Sequence, residues 1–310
     1  MMSASPSNAV TVNDVGPRDG LQNQPKILAP AERVKLVQAL LGAGMTHVEV
    51  GAFVSPKAVP AMAGADEVLA GLAGAAENTV LTVLIPNVRG YELAAAAGAK
   101  SVCMVLYGSD AMAQANAGMS RKQAEDATAE ILQQAHADGV RVISTIAVAF
   151  ECPFDGPVEP QLVAEIAGRF LELGTDELCI ADTIGAANPQ QVRSLTQALV
   201  DQHGAEQIGC HFHDTRAMGL ANVFAAAESG IRKFDASIGG LGGCPFAPGA
   251  SGNVATEDVV MMLEQMGYDT GIDLDGLMRA SELAQDLTGT APGGRASAWL
   301  KQDVMKRRTR

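Results

Sequence analysis

Aromatic residues are scarce in this chain: Phe, Trp and Tyr together make up 4% of its 310 residues. The core must therefore be filled with Ala, Val, Leu and Met, the residues that pack helices onto sheets. No run of about 18 uninterrupted apolar residues occurs, so no membrane span is expected. The opening MMSASPSNAV lacks the basic start and apolar stretch of an export signal. There are only five cysteines, an odd number scattered from Cys103 to Cys244. That excludes a disulfide framework and points to a reduced, cytoplasmic setting. Basic residues are outnumbered too, 22 Lys plus Arg against 35 Asp plus Glu, a net charge of −13 that disfavours nucleic acid as a partner. No stretch rich in Pro or Ser marks a linker between two domains.

What is abundant is apolar material, 47% of the chain, together with 33 glycines. Short β-branched runs recur at residues 10–15, 47–53, 80–85, 101–107, 140–150, 177–181, 207–212 and 234–238. Between them lie amphipathic segments at 30–41, 65–72, 120–137, 160–173, 189–203 and 217–229, and further helices are expected at 256–266 and 274–287. Pro30 and Pro160 suit a first helical turn, where a missing N–H costs nothing. Gly44, Gly98, Gly139, Gly174 and Gly230 follow helical runs as left-handed caps would. The repeated order of apolar helix, glycine and strand, with eight strands, predicts an α/β fold, a (β/α)8 TIM barrel, ahead of a doubly wound open sheet. The expected division is a catalytic barrel over 1–270, then a helical extension over 271–310 packed on it, ending in a frayed basic tail at 306–310.

In such a barrel the chemistry belongs at the C-terminal ends of strands. Residues 14–23, DVGPRDGLQN, leave the first strand with Arg18 and Asp19 adjacent, although the same letters also read as turn signals. Glu49 alternates with Val48 and Val50, which turns it toward the barrel interior or rim. A carboxylate there needs a partner, and Arg18 is the natural one. Asp182 and Thr183 end the sixth strand, where the aspartate is equally a helix cap.

Cys210-His211-Phe212-His213-Asp214 is the strongest signal. Residues i and i+2 of a strand face the same way, so the two imidazoles converge as half of a metal site. The remaining histidines, His47, His136 and His203, have no such company. A Gly-rich loop over 239–258 carries Cys244, Asn253 and Glu257 and is suited to a lid. Two His, one Asp and one Asn oxygen form a nitrogen and oxygen donor set without thiolate, which suits Mg²⁺ or Mn²⁺ better than structural zinc.

The segments GPRDGLQN, FVSPKAVPAM, ADTIGAANP, HFHDT and GGLGGCPFAPGASGNVATED resemble the 3-hydroxy-3-methylglutaryl-CoA lyases, across residues 10 to 271. That resemblance implies a divalent cation held by Asp19, His211, His213 and Asn253. It implies that Arg18 faces a thioester carbonyl, with Gln22 and Thr183 also contacting substrate. Cys244 becomes a loop acid/base, and Glu49, Asp182 and Glu257 supporting polar residues of the catalytic set. The general base is Asp19 or His211, and the relatives suggest a homodimer.

The implied reaction is metal-dependent cleavage of an acyl-CoA, the glutaryl ester giving acetyl-CoA and acetoacetate. Three departures bear on the acyl group: Ala52 replaces a small hydroxyl residue, Ala58 a Trp, and Arg216-Ala217-Met218 the usual Tyr-Gly-Gln. They keep citramalyl-CoA cleavage, yielding pyruvate, as the alternative. A Claisen-condensing synthase and a non-catalytic metal-binding barrel are less favoured readings.

Overall fold

The computed structural model describes residues 8–243, 252–291 and 293–308, with side chains as far as Gln302. Cys244 and residues 309–310 lie outside the described residues.

Eight parallel strands close into a barrel. They are β1 (Thr11–Asp14), β2 (His47–Ala52), β3 (Val80–Leu84), β4 (Ser101–Tyr107), β5 (Arg141–Ala147), β6 (Glu177–Asp182), β7 (Ile208–Phe212) and β8 (Lys233–Ala236). Closure is visible at β1, where Asp14 lies opposite Val48 of β2 and Ala236 of β8. Alternation decides which residues face where. Val102 and Leu106 of β4, and Val142 and Ile146 of β5, are fully buried in the layer beneath the helices. Their neighbours Cys103, Val105, Ile143 and Thr145 face the barrel interior and line its cavity. At the floor, Glu177 accepts from Arg141 at 2.8 Å and from Lys233 at 3.1 Å, so the carboxylate has two cationic partners.

Eleven helices are found among the described residues: α1 (Pro30–Gly42), α2 (Ala65–Gly71), α3 (Val88–Ala96), α4 (Asp110–Ala117), α5 (Arg121–Asp138), α6 (Pro160–Glu172), α7 (Pro189–His203), α8 (Gly219–Glu228), α9 (Thr256–Gln265), α10 (Leu274–Thr288) and α11 (Ser297–Arg308). Pro30, Pro160 and Pro189 occupy first turns, and all five expected glycine caps have positive φ. α3 and α4, not among the expected helices, start at Asn87 and Ser109, whose side chains accept from Gly90 N and Met112 N.

One expectation is corrected. The strand expected over 140–150 stops at Ala147, because Val148 turns left-handed at φ 49°, and a small hairpin of Glu151–Cys152 with Gly156–Pro157 follows. α11 runs to Arg308, as far as the chain is described. α10 packs on α1 and α9, and Asp273 N donates to Ala43 O at 2.8 Å, so the extension continues the helical ring. Among the described residues no helix is long and apolar enough to cross a membrane.

Candidate active site

After β1 the backbone winds through a single π-turn, Gly16–Gly20, closed by Gly20 N donating to Val15 O at 3.1 Å. A Cβ on Gly16 would sit 2.7 Å from Asp14 Oδ1, the same oxygen that accepts from Gly16 N, so only glycine fits there. Asp14 is anchored on its other oxygen by Thr256 Oγ1 at 2.6 Å, and burial pushes its carboxyl up to about 7. This wide turn carries Arg18 and Asp19 over the barrel mouth.

There Arg18 donates from Nη1 to Asp19 Oδ1 and from Nη2 to Glu49 Oε2, both at 2.8 Å. Burial opposes the guanidinium charge, but Glu49 and Asp19 outweigh it and hold Arg18 protonated. Its Nε is buried without a partner. Burial alone would raise the Asp19 carboxyl; Arg18, His211 and His213 reverse this and bring it down to about 2. Glu49 is shifted up because its burial exceeds the pull of Arg18. The Glu49 rung sits at a bulge, since pairing with β3 slips between Glu49 and Gly51. The intervening Val50 carbonyl accepts from the buried Arg33 at 3.2 Å.

His211 and His213 face the same side, as the period of two requires, with ring centroids 5.2 Å apart. Potential donor atoms of Asp19, His211 and His213 all lie within 4.8 Å of one another. Asn253 joins them, donating from Nδ2 to Asp19 Oδ2 at 2.6 Å. The fit to a cation is supported by two orphaned atoms: Asn253 Oδ1 and His213 Nδ1 are buried and have no hydrogen-bond partner. Burial, with help from His211, lowers His213 to about 4, leaving it a neutral ring able to ligate. An ionised aspartate, two imidazoles and an amide oxygen are a hard and borderline donor set suited to a divalent ion.

Asp19, His211 and His213 open onto a cavity of about 470 Å³. One side carries Arg18, Asp19, Glu49, His211 and His213; the other is apolar, with Val59, Ile85, Tyr107, Met112 and Met119. Gln22 and Thr183 both line it. Thr183 Oγ1 also accepts from Val148 N at 2.7 Å, holding the left-handed residue in place.

Asp182 and Glu257 do not line this cavity. Asp182 spends both oxygens on Ala186 N and Ala187 N. Glu257 accepts from Gly239 N, Gly294 N and Ser281 Oγ, tying the loop after β8 to α10 and the segment beyond it. Carboxylates near a strand end attract backbone N–H groups as readily as substrates. Asp235 is the residue that sequence reasoning missed: its Oδ2 lies 3.0 Å from His211 Nδ1. Its signal was the alternation that marked Glu49, a carboxylate between buried Phe234 and Ala236.

Residues 9–284 match the model of the HMGL-like family. An (R)-citramalyl-CoA lyase of Chloroflexus aurantiacus is 44% identical over 283 residues, covering 88% of this chain and 89% of its own. A hydroxymethylglutaryl-CoA lyase of Pseudomonas mevalonii is 43% identical over 292 residues, covering 94% and 97%. Among solved structures, an HMG-CoA lyase of Acinetobacter baumannii in complex with coenzyme A and 3-methylmalate superposes with a TM-score of 0.89 at 39% identity, covering 96% of each chain.

Proposed function

Because the chain belongs to the HMGL-like family of carbon–carbon lyases, we propose that it cleaves 3-hydroxy-3-methylglutaryl-CoA to acetyl-CoA and acetoacetate, with Mg²⁺ or Mn²⁺ held by Asp19, His211, His213 and Asn253. The observation that carries this reading is the meeting of the Arg18–Asp19–Glu49 cluster with His211 and His213 in one cavity, with Asn253 bonded to Asp19.

A bound divalent cation would supply Lewis acidity, lowering the pKa of a coordinated tertiary hydroxyl. The protein's own groups do the rest. Asp19 or His211 takes the hydroxyl proton. As the carbon–carbon bond breaks, charge moves onto the thioester oxygen, and Arg18 is placed to meet it. Asp19 and Glu49 fix its guanidinium through both Nη atoms, which leaves Nε–H to donate. Cys244, in the loop after β8, returns a proton to the enolate carbon. The apolar side of the cavity keeps water from that carbon. Gln22 and Thr183 contact the substrate. Asp182 and Glu257 act only by holding their loops. The assembly is a homodimer in this reading, and a monomer in sedimentation at micromolar concentration would contradict it.

Citramalyl-CoA is the second reading, favoured by the 44% identity to a lyase named for that ester. A one-carbon change in the distance from hydroxyl to carboxylate is worth only about 1–3 kcal/mol to a pocket. An ester panel decides: purified enzyme with Mg²⁺, each CoA ester in turn, and acetyl-CoA release as readout. The glutaryl ester should give the higher kcat/KM; a tenfold preference for citramalyl-CoA would reverse the assignment.

A further inference from the structure

We propose that Asp235 is the positioning residue of His211, fixing the ring so that Nε2 alone is presented to the Asp19 and His213 donors; this rests on the metal-centre reading above. The placement is built into the register of the barrel. Asn13 lies opposite Asp235 in the β1–β8 pairing, and Asp235 lies opposite His211 in the β8–β7 pairing. Three inward-facing residues therefore sit side by side on one rung across three strands.

Both Asp235 oxygens are committed. Asn13 Nδ2 donates to Oδ1 at 2.8 Å, and His211 Nδ1 meets Oδ2 at 3.0 Å, where Cys179 Sγ from β6 also donates at 3.7 Å. The carboxylate plane is thus fixed from three strands. An ionised carboxylate only accepts, so the proton of a neutral His211 sits on Nδ1 and the lone pair on Nε2. Metal-bound histidines generally hand their second N–H to such an acceptor, which orients the ring and raises its basicity.

The two histidines differ in this respect. His213 Nδ1 is buried without a partner, so only His211 is oriented by the protein before any ion arrives. One consequence concerns the chemistry. With Nδ1 given to Asp235, His211 keeps one nitrogen, Nε2, for a ligand or a proton.

The test is Mn²⁺ binding by calorimetry to metal-stripped wild type, Asp235→Ala and Asn13→Ala, alongside unfolding in EDTA. Wild type should bind one ion, Asp235→Ala about 10–100-fold more weakly, and Asn13→Ala by a smaller factor. A folded Asp235→Ala with wild-type affinity would overturn the role of Asp235 while leaving the metal centre standing. A wild type that binds no Mn²⁺ would overturn both. A second measurement needs no variant. The ¹⁵N shifts of His211 in the Mg²⁺-loaded wild type should place its proton on Nδ1, and a proton on Nε2 would overturn the proposal even if Asp235→Ala does not fold.

Discussion

Asn253 donates its amide to Asp19 Oδ2 across 2.6 Å, joining the loop after the last strand to the turn after the first. The two residues are 234 positions apart, and closure of the barrel between β1 and β8 is what brings them together. Truncation of Asn253 to Ala should therefore weaken Mn²⁺ binding by more than about tenfold, the range seen when groups around a metal are lost. Calorimetry on the stripped protein checks this, and unchanged affinity would remove Asn253 from the donor set.

Arg18 is held rigidly by two carboxylates before any substrate binds. Replacing it with Gln should lower kcat by about 10²–10³ with little change in KM, because the lost interaction strengthens only as charge develops. Steady-state kinetics at saturating metal read this directly. Near-full turnover by Arg18→Gln would remove the enolate role.

Glu257 should show up in stability. Its carboxylate satisfies Gly239 N, Gly294 N and Ser281 Oγ. Leaving buried donors unpaired costs about 1–3 kcal/mol each, so Glu257→Ala should lose at least about 3 kcal/mol in urea unfolding. A variant as stable as wild type but without turnover would return Glu257 to the reacting groups.

Ala217 lies just beyond the histidine pair in the left-handed region, at φ 59°. A Cβ is penalised there and glycine is not. Ala217→Gly should raise stability by roughly 0.5–1 kcal/mol, the scale of such backbone effects. Thermal unfolding checks the sign, and a lower melting temperature would contradict it.

How legible the site was in the sequence follows from the kind of signal each residue left. His211, His213 and Glu49 were readable because strand alternation is a strict period of two. Asp235 obeys the same period, but β8 is four residues long, too short for the pattern to stand out. GPRDG reads as an ordinary turn, and nothing in those letters announces a π-turn, in which Gly16 N is held by Asp14 Oδ1. Val148 was read as strand because β-branched residues favour it; its left-handed conformation is accompanied by a hydrogen bond from its N–H to Thr183 Oγ1, distant in sequence. Asp182 does end its strand, whereas Glu257, read in the loop over 239–258, lies in the first turn of α9. Which way their carboxylates turn depends on backbone N–H groups that no local pattern reveals.

The central claim is that Asp19, His211, His213 and Asn253 hold a divalent cation required for carbon–carbon cleavage. The most direct measurement strips the enzyme with EDTA, supplies 3-hydroxy-3-methylglutaryl-CoA, and follows acetyl-CoA and acetoacetate as Mg²⁺ or Mn²⁺ is added back. The account predicts no turnover without metal, equimolar products with it, and no recovery by added metal in His213→Ala at the concentration that saturates wild type. Full cleavage by the stripped enzyme, or restoration of His213→Ala at that same concentration, would contradict it.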